Sequence, residues 1–189
     1  MKIHPGLIGF DIDGVVADTM EAFIRLARDD YGINSISPED ITDFEVEDCL
    51  DMEPSVVNEI FIRLMEEPVA SGLRPMNHAV TVLLEFSKFG PLTFVTARPQ
   101  KAPIEKWLKK NLYPASDKIR LTAVGEHDNK ADAIEDMGLE YFVDDRAETC
   151  IYLQDKGIVP FVYSQPWNRG RHDLQTVGNW LEIRALSFH

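Results

Sequence analysis

Residues 7–19 read LIGFDIDGVVADT, and the fold turns on how this stretch is read. Leu7–Phe10 is a short, mostly apolar run of the kind found in a strand buried on both faces. It ends in Asp11 and Asp13, two carboxylates one residue apart, with Gly14 immediately after. Carboxylates at the end of a buried strand repel each other and are costly to strip of water, so something must neutralise them. Residues i and i+2 of an extended chain point the same way, which sets Asp13 alongside Asp11.

Downstream, Thr19 reads as a helix N-cap. Ala22, Phe23, Leu26 and Ala27 share one face of the helix it opens, and Gly32 closes it. Ser37-Pro38-Glu39 and Glu53-Pro54 carry two further helix starts, and no strand is expected over residues 35–67. From Met76 the pattern alternates. Helices are expected over 77–89, 101–111, 130–137 and 147–156, strands over 92–96, 119–124, 141–145 and 158–163, and a last amphipathic helix over 174–186. Strands alternating with helices through short glycine-bearing turns predict an α/β fold, a Rossmann-like three-layer α/β/α parallel sheet. The first strand is cut off from the second by a long helical stretch. The expected organisation is therefore a core of residues 1–18 and 74–189 with a small all-helical insertion over 19–73.

The chain has 189 residues, 44% hydrophobic and 27% charged, which suits one domain or a core with a modest insertion. Its 32 acidic and 19 basic residues give a formal net charge of −13, a poor surface for a nucleic-acid polymer or an anionic membrane. A small phosphorylated metabolite remains a fitting partner if positive charge is concentrated locally. Cys49 and Cys150 show no paired spacing, so free thiols of a reducing compartment are expected, with one disulfide as the alternative. The N-terminal stretch is broken by Pro5 and Gly6 and does not read as a signal peptide. No apolar run approaches the roughly 20 residues needed to span a bilayer. A cytoplasmic monomer or homodimer is the expectation.

Open parallel sheets bind ligands beyond the carboxyl ends of their strands, so the strand ends locate the chemistry. The first strand ends in Asp11 and Asp13, the second in Thr96-Ala97-Arg98 and the fourth in Asp144-Asp145, while Lys130 opens the helix after the third. Taken singly, each has an ordinary structural role: a turn, a cap or a solvated helix face. Together they bring four acids, a hydroxyl and an ammonium to one sheet edge. A carboxylate such as Asp11 can attack phosphorus and split a difficult hydrolysis into two steps. Asp13 can move the protons, and Gly14 permits a tight turn that brings backbone N–H groups toward phosphoryl oxygens. Clustered carboxylates with substrate oxygens suit Mg2+.

The ordered set DIDGVV, VTAR, Lys130 and VDD resembles the four motifs of the haloacid dehalogenase superfamily of phosphatases and phosphotransferases, from one end of the chain to the other. DGVVAD, TAR and VDDR are most similar to its 5'(3')-deoxyribonucleotidase-type members. The resemblance implies a helical cap at 19–73 and a Mg2+-dependent phosphomonoester hydrolase, acting as a 5'-nucleotidase on (deoxy)nucleoside monophosphates. It implies Asp11 as nucleophile and metal ligand, and Asp13 as acid/base and ligand through its backbone carbonyl. Asp145 is favoured over Asp144 as the carboxylate ligand. Gly14, Thr96, Ala97 and Lys130 are implied at the phosphate. Arg98 either clamps a phosphate or pairs structurally. Phe44 and Phe61 either stack on a base or fill helix cores, and Trp167, Arg169 and Arg171 form either a basic cluster at the site or a packed loop. Trp107 and Trp180 read as packing residues; His127 is the histidine nearest the site. The alternatives are a sugar-phosphate or other small-phosphate hydrolase, transfer to an acceptor other than water, a C2–halogen hydrolase, and a non-catalytic phosphate-binding module.

Overall fold

The computed structural model describes residues 2–188, the side chain of Asp128 excepted. The outermost positions of the expected core, 1 and 189, lie outside the described residues. Six strands, β1 (Ile8–Phe10), β2 (Leu92–Thr96), β3 (Ile119–Ala123), β4 (Tyr141–Asp144), β5 (Val159–Tyr163) and β6 (Thr176–Val177), form one sheet in the order β3-β2-β1-β4-β5-β6. Every neighbouring pair is parallel. This is the Rossmann-like order, whose switch point falls between β1 and β4.

The strands are apolar because both faces of the sheet are covered. The helices are α1 (Thr19–Tyr31), α2 (Pro54–Glu66), α3 (Ala79–Phe86), α4 (Lys101–Asn111), α5 (Lys130–Asp136), α6 (Ala147–Asp155) and α7 (Trp180–Ser187). On one face, Phe10, Phe94 and Val143 pack with Phe86, Trp107 and Trp180. On the other, Val95 and Phe142 pack with Ile134, Leu139 and Leu153. Phe10 lies at the centre of the first face, its ring 5.1 Å from Trp180 and 6.2 Å from Phe94. Gly9 alternates with it, and a Cβ there would collide with Leu139 and Phe142.

Between β1 and β2 the chain is helix and turn: α1, 3-10 turns at Pro38–Asp40 and Val46–Asp48, α2 and α3. The expected buried face of α1 is borne out, with Ala22, Phe23, Leu26 and Ala27 all inside. Its N-cap is Asp18 rather than Thr19: Asp18 Oδ1 accepts from Glu21 N–H at 3.2 Å, and Thr19 is the first helical residue. The Ser37 start yields only a single 3-10 turn.

The stretches that leave and re-enter the core run side by side. Asp18 N–H donates to Arg74 O at 2.9 Å, and Met76 N–H to Val16 O at 2.8 Å. Two buried indoles anchor them, Trp180 Nε1 donating to Val15 O at 2.8 Å and Trp107 Nε1 to Leu73 O at 2.9 Å. The expected helix at 174–186 is two elements, since 176–177 forms the edge strand β6 beside β5 and α7 begins only at Trp180. Asn179 supplies that start, its side chain accepting from the N–H groups of Leu181 and Glu182.

Candidate active site

The carboxyl ends of β1, β2 and β4, with the start of α5, converge at the switch point on a cavity of about 270 Å3. From the core, Asp11, Asp13, Gly14, Thr96, Arg98 and Asp145 line it. From the helical segment, Met20, Phe44, Phe61 and Met65 close it over.

Lys130 is the hub. Its ammonium is fully buried and lies 2.9 Å from Asp11 Oδ1 and 2.7 Å from Asp144 Oδ2. Burial alone would lower its pKa, but the two carboxylates outweigh it and hold the charge more firmly than in a free lysine. The second Asp144 oxygen accepts from Arg146 N–H at 2.9 Å, so both its oxygens face protein donors. Asp145 is different. It is buried, no donor among the described residues reaches its carboxyl oxygens, and burial with Asp144 and Asp11 nearby raises its pKa well above the usual range. Burial likewise pushes Asp11 up to about 7, with Lys130 pulling the other way.

Such an arrangement calls for a cation. Ligand atoms from Asp11, Asp144 and Asp145 lie within 4.8 Å of one another, and hard carboxylate oxygens suit a divalent ion. Gly14 shapes this corner. Its φ is +70°, and a Cβ there would overlap the Asp145 carboxylate. Its N–H, expected among groups facing a phosphate, donates instead to Ala17 O at 3.0 Å, because the turn after Asp13 closes on itself. Gln165 Nε2 donates to Gly14 O at 2.6 Å, and Asn168 Nδ2 to Asp145 O at 2.7 Å, which fixes both loops from behind.

Asp13 is gripped by Arg98, whose Nε lies 2.8 Å from Oδ2 and Nη2 2.7 Å from Oδ1; Thr19 Oγ1 also donates to Oδ1 at 2.6 Å. Burial would raise the Asp13 pKa, but Arg98 and Thr19 together bring it below the ordinary carboxylate value. Of the two roles expected for Arg98, the ion pair is the one seen. Thr96 is buried and its Oγ1 accepts from Arg98 N–H at 3.3 Å, which leaves its own hydroxyl proton free to donate. Ala97 is half-buried on the cavity wall.

Phe61 lines the cavity and stacks on Phe23 at 5.0 Å. Phe44 also lines it, meeting His127 edge-on at 5.3 Å with the Arg146 guanidinium 5.2 Å from its ring centre. Burial and the charges of Lys130 and Arg146 push His127 down to about 4, so it borders the cavity uncharged. Trp167 is buried against the site, whereas Arg169 and Arg171 turn away and pair with Glu39 at 2.7 Å and Asp43 at 3.0 Å. Cys49 and Cys150 are both free thiols. Local sequence pattern does not mark Thr19 as a donor to Asp13, Arg146 as a partner of Phe44, or Asn168 as a support of the Asp145 loop. Arg146 and Asn168 lie within the motif VDDR and the stretch SQPWNRGRH, but Phe44 and Asp145, which they hold at the site, are remote from them in the chain.

Fold and site together define a hydrolase of the haloacid dehalogenase superfamily. The chain belongs to the family "5' nucleotidase, deoxy (Pyrimidine), cytosolic type C protein", whose sequence model matches residues 5–188, and the protein is an enzyme of this phosphatase and nucleotidase class. No curated protein sequence matches it. Among solved structures, a haloacid dehalogenase-superfamily hydrolase from Ehrlichia chaffeensis is 16% identical with a TM-score of 0.56, covering 98% of this chain and 96% of its own. A haloacid dehalogenase-like hydrolase from Streptococcus pneumoniae is 17% identical with a TM-score of 0.60 over 94% and 96%. A family hydrolase from Deinococcus radiodurans R1, with bound phosphate and sodium, is 12% identical with a TM-score of 0.62 over 97% and 95%. These likenesses are of fold. No helix among the described residues is long and apolar enough to cross a membrane.

Proposed function

We propose that the protein is a Mg2+-dependent phosphomonoester hydrolase that works through an aspartyl-phosphate on Asp11 and acts on (deoxy)nucleoside monophosphates. The observation that carries this reading is the buried arrangement of Asp11, Lys130 and Asp145 beside Asp13 at the switch point. Residues 19–73 act as the cap over the site. Substrate class rests on the family and on the aromatic side chains Phe44, Phe61 and Trp167 around a cavity that suits a small phosphorylated molecule.

Asp11, Asp145 and the backbone carbonyl of Asp13 would hold the ion, with Asp144 acting through Lys130 and water. Mg2+ there supplies charge neutralisation for the carboxylates and the phosphoryl oxygens. Asp11 attacks phosphorus while the bond to the leaving oxygen breaks, and Asp13 gives that oxygen its proton. An arriving phosphate dianion raises the proton affinity of Asp13, offsetting the hold of Arg98. In the second step Asp13 takes a proton from water, whose oxygen attacks phosphorus and regenerates the Asp11 carboxylate. Lys130 stabilises Asp11 before attack and the phosphoryl charge during it, and Thr96 donates to a phosphoryl oxygen. A panel of phosphate esters assayed with Mg2+ and with a chelator tests the reading. Metal-dependent hydrolysis strongest on nucleoside monophosphates supports it. A single non-nucleotide substrate removes the nucleotidase refinement, and a flat panel removes the enzymatic reading.

A further inference from the structure

We infer that Arg98 is a positioning residue for Asp13, and that it makes the seating of helix α2 and the alignment of the Asp13 carboxylate a single event. This rests on the role proposed for Asp13 above. One edge of the guanidinium forks onto Asp13 through Nε and Nη2, and the remaining nitrogen, Nη1, donates to Leu64 O at 3.0 Å and Met65 O at 3.4 Å. Every nitrogen of the group thus has a protein acceptor, and the side chain is only 2% exposed.

The two carbonyls are among the last of α2, which have no intrahelical partner. Leu64 O is orphaned for a second reason: the residue four positions on is Pro68, which has no N–H to offer. A cation at the negative end of α2 is also favoured by the helix dipole. Arg98 therefore completes the end of α2 and orients Asp13 with the same planar group, whose fork leaves little angular freedom.

Asp13 is held from the other helix as well. Thr19, the first residue of α1, donates to Oδ1, and α1 packs on α2 through Phe23 and Phe61. If the helical segment pivots away on the paired stretches 15–18 and 73–76, Thr19 leaves Asp13 and Arg98 loses its α2 acceptors together. Closure over the substrate restores both, so Asp13 is aligned when the cavity is shut against water.

The test compares Arg98→Lys with the wild-type enzyme on para-nitrophenyl phosphate and on a simple alkyl phosphate. Nitrophenolate leaves without help from an acid, whereas an alkoxide needs the proton of Asp13. The expected result is a loss in kcat/KM of about 100-fold on the alkyl ester and only about threefold on the aryl ester. Inhibition by inorganic phosphate should stay within about twofold, and in an Asp13→Asn background the substitution should add no further loss. Equal losses on both esters, phosphate inhibition weakened about tenfold or more, or a full multiplicative loss in the Asp13→Asn background would overturn the inference. Arg98→Gln serves in the same comparison if the lysine variant does not fold. A wild-type enzyme inactive on every ester removes the phosphatase reading and this inference with it. An active wild type with uniform losses removes the inference alone.

Discussion

Lys130 Nζ donates to Asp144 Oδ2 at 2.7 Å where neither side chain touches solvent. The same ammonium pairs with Asp11, so one cation holds together the ends of β1 and β4 at the switch point. Removing one partner of a buried ion pair leaves an uncompensated charge, which costs about 3–5 kcal/mol. Lys130→Met is expected to lose stability on that scale and to lose phosphatase activity, as read by urea unfolding and turnover. An equally stable variant would show that the acids are neutralised some other way.

The neighbouring acids are expected to respond with opposite sign. Asp144→Asn weakens the pairing with Lys130 and lowers the Tm of the metal-free protein. Asp145→Asn removes a buried carboxyl that has no donor and whose ionisation is opposed by burial and two neighbouring acids, and it should raise that Tm by about 2–4 °C, the shift produced by 1 kcal/mol in a chain of this size. The same variant should lose thermal stabilisation by Mg2+. Calorimetry with and without the ion measures both, and shifts of the same sign would contradict the division of roles.

The pH dependence follows from Asp11, whose pKa rises from 3.8 to about 7 on folding. A raised carboxyl binds its proton more tightly in the folded state, so the metal-free protein loses stability as pH climbs from about 4 through about 7. Asp13 is shifted the other way, and its contribution is lost only as pH falls below the usual carboxylate range. Protons and Mg2+ compete for Asp11, so the ion should raise the Tm more at about pH 8 than at about pH 5.5. Equal shifts at both values would count against Asp11 as a ligand.

The two indoles that anchor the paired connecting stretches carry a cost that can be measured. Trp107→Phe and Trp180→Phe each leave a buried carbonyl, Leu73 O or Val15 O, without its donor, at about 1–3 kcal/mol. By contrast, Arg169→Ala and Arg171→Ala break solvent-exposed pairs that water screens, so each should cost less than either indole substitution. Chemical denaturation separates the two classes. A larger loss from the arginine variants would mean that the clasp on 39–43 carries fold stability.

The strands and the four motif positions were legible because a parallel strand covered on both faces is a continuous apolar run, and its end is marked where polarity returns. Asp11, Thr96 and Asp144 all sit at such breaks. β6 was not legible, since two residues beside a polar loop carry no periodicity, and Leu174 through Leu186 mimics one long helix. The ion pair of Arg98 with Asp13 joins residues 85 positions apart, and that of Arg169 with Glu39 joins residues 130 apart. Local pattern holds no record of such partners, so whether these arginines faced a phosphate or an acid was decided only by the assembled sheet. Gly14 signals a turn in the sequence, but nothing local marks it as the space into which Asp145 fits.

In the proposed reaction Asp11 forms the bond to phosphorus. The most direct measurement of that step is turnover of an aryl phosphate with Mg2+ by the wild-type protein and by Asp11→Asn, with folding of both verified by circular dichroism. Metal-dependent hydrolysis is expected from the wild type and none from the folded variant. Wild-type turnover by Asp11→Asn would contradict that step.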